Sequence, residues 1–257
     1  MNKNKKSHPL ISVTTWLVII AFWTISTNTG MVSSQLLPSP QQVFKAFIMI
    51  LSEGYNSIPF WEHLGISFYR LFLAVILALV MAIPLGLLSG YFSKFRAVID
   101  SLVSFYRPLP PLAYYMLLIL WLGIDEESKV TLLFLASFAP IYIACSSAVS
   151  RVDETFVLSA KSMGATNAQV FFTIVVPATL PDIFIGVRTA VGVAYTTLVS
   201  AEMVAATSGL GWMVIDASRY LKSDVMFVGI IIMGLTGILI DFLLKKLETK
   251  IVFWAGK

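Results

Sequence analysis

One acidic residue, Glu202, lies in an otherwise apolar stretch that also contains the hydroxyl residues Thr189, Thr196 and Ser200. At helical spacing the three hydroxyls fall on one side of a helix, where they could line a polar path. A carboxylate inside a membrane span costs about 2.5–3.5 kcal/mol at the bilayer centre, so Glu202 should face water or a partner group. We interpret these four residues as a candidate pathway for a polar solute. Two alternatives are that the hydroxyls serve helix packing alone, and that Glu202 is a structural acid paired with Arg219 or with a backbone group.

The sequence lacks the residue patterns of common catalytic sites. It contains no Gly-x-x-x-x-Gly-Lys-Ser/Thr phosphate loop, so another subunit must supply any ATP hydrolysis that works by that route. The two histidines, His8 and His63, are far from metal-ligand spacing, and the single cysteine, Cys145, leaves no disulfide. No serine has a Gly-x-Ser-x-Gly context. We therefore predict a chain that is not an enzyme and holds no cofactor or metal.

The composition indicates a membrane protein. The chain has 257 residues, of which 58% are hydrophobic and only 12% are charged, and its mean hydropathy is +0.85. A helix needs about 20 apolar residues to cross the hydrocarbon core. The sequence therefore predicts an all-α, polytopic fold with six transmembrane helices, near residues 13–30, 68–92, 108–124, 129–149, 183–206 and 225–244.

Charge predicts the orientation of these spans. If both termini are cytoplasmic, most of the 18 Lys and Arg residues lie on the cytoplasmic side, as membrane proteins prefer. Residues 1–12 are then a basic cytoplasmic tail, and 13–257 a single transmembrane domain. Within it, 31–64 form an external loop with an amphipathic interfacial helix, and 150–182 form a cytoplasmic loop. The net charge of +4 reflects this topology and does not indicate nucleic acid as a partner.

The cytoplasmic loop has the signals of two short helices. Asp153 can cap the first helix, and Gly164 stands where its C-terminus favours a left-handed residue. Thr166–Gln169 has capping-box spacing for a second helix, which we predict to stop at Pro177 and Pro181. Two short helices at a tight angle make a small protrusion, suited either to docking another protein or to connecting two spans.

The same loop resembles the "EAA" loop of ABC importer permeases, through Ser159-Ala160, Gly164, Ile174 and Pro177. In that family the loop lies in a cleft of the ATPase subunit. Leu158 replaces the usual Glu, so the contact would depend on shape or on Lys161. The resemblance implies the following ATPase-coupling residues: Ser159, Ala160, Lys161, Gly164, Ala165, Ile174 and Pro177.

A second segment, before the third span, has three prolines in four residues. Pro108, Pro110 and Pro111 follow Arg107 and predict a stiff, non-helical elbow at the membrane. The segment from Arg107 to Ala113 resembles the taurine-type branch of the permease family.

The resemblance covers Leu36 to the C-terminus. It implies the permease subunit of a type I ABC importer in the bacterial inner membrane, for taurine, aliphatic sulfonates or nitrate. It also implies a homodimer with two cytoplasmic ATPase subunits, which bind ATP and Mg, and an external substrate-binding protein. Bicarbonate or a thiamine-related pyrimidine are alternative substrates. A stand-alone secondary carrier or channel is the alternative from another class.

Overall fold

The computed structural model describes residues 9–254, and within them it forms helices and no strand beyond one isolated bridge. His8 and most of the predicted basic tail lie outside the described residues. The helices are α1 (Pro9–Asn28), α2 (Pro40–Glu53), α3 (Phe60–Tyr91), α4 (Ser93–Tyr106), α5 (Pro111–Leu122), α6 (Glu126–Val149), α7 (Glu154–Ser162), α8 (Asn167–Val170), α9 (Val176–Ala205), α10 (Leu210–Arg219) and α11 (Ser223–Ile251). A π-helical turn, Phe171–Val175, joins α8 to α9. The predicted all-α fold is confirmed.

Four helical segments within the described residues are long and apolar enough to cross a membrane: α3, α6, α11 and the continuous run Asn167–Ala205. The first and third predicted spans coincide with shorter apolar stretches, Val13–Asn28 and Pro111–Leu122. With 12 residues, α5 is about 18 Å long, less than the hydrocarbon thickness of about 30 Å.

The chain folds into two compact units. The larger one contains Trp61–Trp212 and the chain from Met233 onward. Its core is built on α3, α6 and α9, where small residues allow backbones to approach closely. A Cβ added at Gly186 would lie 2.2 Å from the Cβ of Ala144, and one at Gly86 would lie 2.5 Å from that of Cys145. These contacts pack α9 and α3 against two consecutive residues of α6.

The smaller unit contains the chain up to Phe60 and Met213–Ile232. Its α2 starts with a capping box between Ser39 and Gln42, and it confirms the predicted helix in the 31–64 segment. Trp23 fixes α1 by donating a hydrogen bond from Nε1 to the carbonyl of Pro38 (2.9 Å), and it stacks on Phe227.

Candidate functional site

The first helix of the 150–182 loop has the caps that the sequence predicts. The Asp153 carboxylate accepts a hydrogen bond from the Thr155 N–H (2.8 Å) at the start of α7. This bond favours the charged form and lowers the pKa of Asp153. Gly164 follows the helix in the left-handed region, with φ of +88°.

A Schellman motif closes the same helix. The Ala165 N–H donates to the Ala160 carbonyl (3.0 Å), and the Gly164 N–H donates to the Lys161 carbonyl (2.9 Å). These paired bonds fix the chain reversal between α7 and α8, so the predicted protrusion has a defined shape.

The predicted stop at Pro177 and Pro181 is wrong. The capping box of α8 forms as predicted, but the chain then continues through the π-helical turn into α9. Pro177 lies directly after the π-helical turn, where the regular hydrogen-bond ladder of the helix is already interrupted. Pro181 lies inside the helix, as prolines do in membrane helices whose freed carbonyls find other partners.

The predicted coupling residues divide by exposure. Ser159, Lys161 and Gly164 are exposed, whereas the others are half-buried: Ala160, Ala165, Ile174 and Pro177. Sequence reasoning missed the most conspicuous feature of the α7 part of this loop, which is three exposed apolar side chains: Phe156 (63%), Leu158 (61%) and Met163 (89%). We call these three residues the apolar tip.

The predicted non-helical elbow forms at residues 107–110, whereas its fourth predicted member, Pro111, is helical. Residues 107–110 lie between the end of α4 and the start of α5, and Pro111 is the first residue of α5. The Leu109 N–H donates to the Tyr106 carbonyl (3.0 Å), which folds the elbow into a turn.

The hydroxyl residues of the candidate pathway lie on α9. Thr189 and Thr196 are exposed and Ser200 is half-buried. Each hydroxyl donates to a carbonyl of its own helix, as in the 2.9 Å bond from Thr189 to Ile185. The hydroxyl oxygens keep lone pairs that can accept from a solute. Their role in transport stays a prediction.

Glu202 lies elsewhere, in a buried ionic cluster with Arg70. Both residues are 1% exposed, and Arg70 Nη1 donates to Glu202 Oε1 (2.8 Å). Arg70 also donates two hydrogen bonds to Glu126, at 2.6 and 2.7 Å. Ser67 donates to the same Glu202 oxygen (2.7 Å). The ionic partner of Glu202 is thus Arg70, not the Arg219 that the sequence suggested; the predicted backbone contact does occur. We call Ser67, Arg70, Glu126 and Glu202 the Arg70 cluster.

The Arg70 cluster holds the turn that follows α9. Glu202 Oε2 accepts from the Gly211 N–H (2.8 Å), and Arg70 Nη1 donates to the Ser208 carbonyl (2.9 Å). His63 Nδ1 accepts from the Gly209 N–H (3.1 Å). Sequence reasoning missed Arg70; an arginine inside an apolar helix was the available signal that it needs an acidic partner.

A cavity of about 560 Å³ opens among α5, α6 and α9. Predicted residues from two different groups meet there, because Arg107 and Pro111 of the elbow and Thr189 of the pathway all line it. Its other polar residues include Tyr106, Tyr114, Ser147, Arg151 and Asp182. Glu202 does not line it.

Within residues 9–254, no group of three or more His, Cys, Asp or Glu side chains is placed to hold a metal ion.

Comparisons with known proteins identify the family. Residues 82–253 match the model for the inner membrane component of binding-protein-dependent transport systems. The chain is 36% identical to the taurine transport system permease protein of Escherichia coli (strain K12), over 96% of this chain and 90% of the relative. It is 33% identical to a putative aliphatic sulfonates transport permease protein of Bacillus subtilis (strain 168), over 92% of this chain and 84% of the relative.

Among solved structures, a chain of the MetNI methionine ABC transporter in an inward-facing conformation has the same fold. The TM-score is 0.63 at 16% identity, covering 77% of this chain and 94% of that chain. The family match, these relatives and the apolar helices lead to one conclusion: the chain belongs to the inner membrane components of binding-protein-dependent transport systems, as a multi-pass permease subunit of an ABC importer and not an enzyme.

Proposed function

We propose that this permease forms the translocation pathway for a small organic sulfonate, with taurine as the first candidate. The similarity to the taurine and aliphatic sulfonate permeases supports this substrate class. Nitrate, bicarbonate and a thiamine-related pyrimidine are the alternative substrates for the same architecture. An uptake assay with each compound distinguishes them.

The working assembly is a dimer of this chain with two cytoplasmic ATPase subunits and an external substrate-binding protein. ATP and Mg bind in the ATPase subunits, because this chain has no phosphate loop. The open face of α9 is the surface we assign to the second copy and to the pathway. Thr189 and Thr196 are exposed there, and a Cβ added at Gly192 would meet no atom within 4 Å.

The apolar tip is the observation that carries the coupling proposal. Large apolar side chains on a loop in water mark a protein contact when they cluster, and burying each one fully gains about 1.5–3 kcal/mol. The half-buried residues of the loop, such as Ala160 and Ala165, pack against the core of the larger unit. Closure of the ATPase dimer therefore moves the tip and the helices behind it together.

Met163→Asp tests this coupling, because Met163 is the most exposed member of the tip. A carboxylate forced into an apolar cleft costs several kcal/mol, so we expect co-purification of the ATPase to fall at least tenfold. ATP-driven taurine uptake in liposomes should fall with it. Leu36→Asp is the matched control: Leu36 is 74% exposed and predicted external, so this variant should retain its ATPase.

A second pair of variants separates surface contact from backbone strain at Gly164. Space beside Gly164 is open, but its positive φ strains most L-residues, and Asn tolerates it better than Ala. If the side chain blocks docking, Gly164→Asn weakens ATPase binding more than Gly164→Ala; if strain is the cause, the order reverses. Normal ATPase binding in Met163→Asp would refute the docking role. Ion-driven uptake by the purified chain alone would favour a secondary carrier.

A further inference from the structure

The polar residues of the 560 Å³ cavity are not spread evenly over its wall. Many of the lining side chains are apolar, and they come from the middle of α6 and α9. Charged groups come instead from the elbow and from the ends of the 150–182 loop: Arg107, Arg151 and Asp182. The cavity therefore has an apolar wall and a charged mouth, which is the usual arrangement of a small-molecule site.

One cation at the charged mouth lacks a partner. Arg107 forms no ion pair with any residue in the described range 9–254. The hydroxyl oxygen of Tyr106 is buried and has no hydrogen-bond partner in the same range. Because that oxygen is buried, it is shut off from the cavity and offers no hydrogen bond to a ligand there.

A second group, Asp182, is only partly satisfied. Its Oδ2 lies 2.8 Å from Arg151 Nη2 in an ion pair. No other described residue forms an ion pair with this carboxylate, which leaves Oδ1 able to accept from an ammonium group. Two guanidinium groups and one carboxylate leave a net positive charge at the mouth. That charge suits an anion, and the carboxylate adds a place for a cationic end.

We propose that this cavity is a binding site for a small amino-sulfonate within a single permease subunit. Arg107 binds the sulfonate, and Asp182 accepts from the ammonium group. A guanidinium matches a tetrahedral oxyanion because two parallel N–H groups meet two oxygens. The apolar wall then covers the methylene groups. This assignment rests on the proposed function, since it names a site for the substrate class given there.

The site predicts that two ends of one substrate are recognised separately. Taurine carries a sulfonate and an ammonium group, whereas isethionate carries the same sulfonate with a neutral hydroxyl. The probes are these two compounds, radiolabelled, and the protein is the permease–ATPase complex in phosphatidylcholine nanodiscs without nucleotide or binding protein. Equilibrium binding of each probe is measured for the wild type and for each variant.

Arg107→Gln should weaken the binding of taurine and of isethionate alike, by about 10- to 100-fold, because both compounds lose a charge-assisted hydrogen bond. Tyr106→Phe should leave the binding of both unchanged, because the Tyr106 oxygen is shut off from the cavity. Asp182→Asn should weaken taurine about tenfold and leave isethionate unchanged or bound more tightly, since it removes a negative charge. Arg96→Gln is the matched control, because Arg96 pairs with Asp100 and does not line the cavity.

Retained ATPase co-purification shows that each variant is folded, and Arg107→Lys keeps the charge if Arg107→Gln fails this check. Equal isethionate binding by wild type and either Arg107 variant overturns the site. Equal effects of Asp182→Asn on both probes overturn the ammonium contact. If phosphatidylglycerol added to the nanodiscs displaces taurine, the cavity holds a lipid headgroup, which also overturns the assignment.

This binding assay is independent of transport. Import of taurine by wild type and Arg107→Gln at equal rates and equal affinity refutes the site and leaves the proposed function standing. Failure of the complete wild-type transporter to import any sulfonate refutes the proposed substrate, whatever the variants do.

Discussion

Removing the charge of Arg70 should destabilise the permease more than removing any exposed charge of the larger unit. Arg70 donates four hydrogen bonds, to Glu126, Glu202 and the Ser208 carbonyl. Arg70→Met replaces the guanidinium with an apolar side chain of similar length and leaves the Glu202 carboxylate buried, at 1% exposure, without its ionic partner. An uncompensated buried charge of this kind costs about 3–5 kcal/mol.

The other pairs in the same unit set the scale for comparison. The Glu126 side chain is 42% exposed, so Glu126→Gln should cost no more than about 1 kcal/mol. The Arg188 side chain, which pairs with Asp241 and Glu248, is 32% exposed. The loss of stability in Arg188→Met should therefore also be no more than about 1 kcal/mol. Combining Arg70→Met with Glu202→Gln should restore part of the lost stability, because the buried side chain at position 202 is then neutral.

Thermal unfolding followed by tryptophan fluorescence measures these differences. For a chain of this size, 3–5 kcal/mol corresponds to a fall in Tm of roughly 6–20 °C, and 1 kcal/mol to roughly 2–4 °C. The expected order of Tm is therefore Glu126→Gln and Arg188→Met near wild type, the double variant lower, and Arg70→Met lowest. An Arg70→Met variant that melts within a few degrees of Arg188→Met refutes the reasoning, because the ionic cluster would then be no stronger than a surface pair.

Two further predictions follow from single residues. Gly209→Ala should lower Tm as much as Arg70→Met does, because the new Cβ would lie 2.4 Å from the Glu202 carboxylate and Gly209 has a φ of +124°. The control is Gly65→Ala in α3, where no atom lies within 4 Å of the added Cβ, so this variant should be neutral or slightly stabilising. Equal changes in Tm for the two variants would contradict this prediction. The N-terminal turn of α7 should loosen in acid: the lowered pKa of Asp153 means that its stabilisation is complete above the ordinary pKa of about 3.9 and is lost as pH falls through the lowered value. Hydrogen exchange of α7 should show this loss in the wild type and not in Asp153→Asn, and identical pH profiles for the two would contradict it.

The local structure of the 150–182 loop could be predicted from sequence because its signals are short-range. Asp153, Gly164 and Thr166–Gln169 act on backbone groups within four residues, so no distant contact can change their effect. The prolines failed as stop signals because membrane helices tolerate them where other groups satisfy the freed carbonyls, and Pro181 depends on such surroundings.

The partners within the site could not be predicted, since they come from remote parts of the chain. Arg70 and Glu202 are 132 residues apart, and no spacing rule links them. The sequence did single out Glu202 as a costly residue that needed a partner. The same applies to the cavity, where Arg107 and Thr189 were noted for separate reasons and only packing brings them to one wall.

The helical run from Asn167 to Ala205 contains 39 residues, which makes it about 58 Å long. Its first turn belongs to the loop with the apolar tip. Near its last turn, Glu202 accepts a hydrogen bond from the Gly211 N–H. Because this run is helical throughout, a displacement at one end can reach the other end without passing through a flexible linker. The π-helical turn and Pro181 are the two places where this helical run can bend. In the coupling proposed above, stiffness at these two points would determine how much of an ATPase movement reaches the Arg70 cluster.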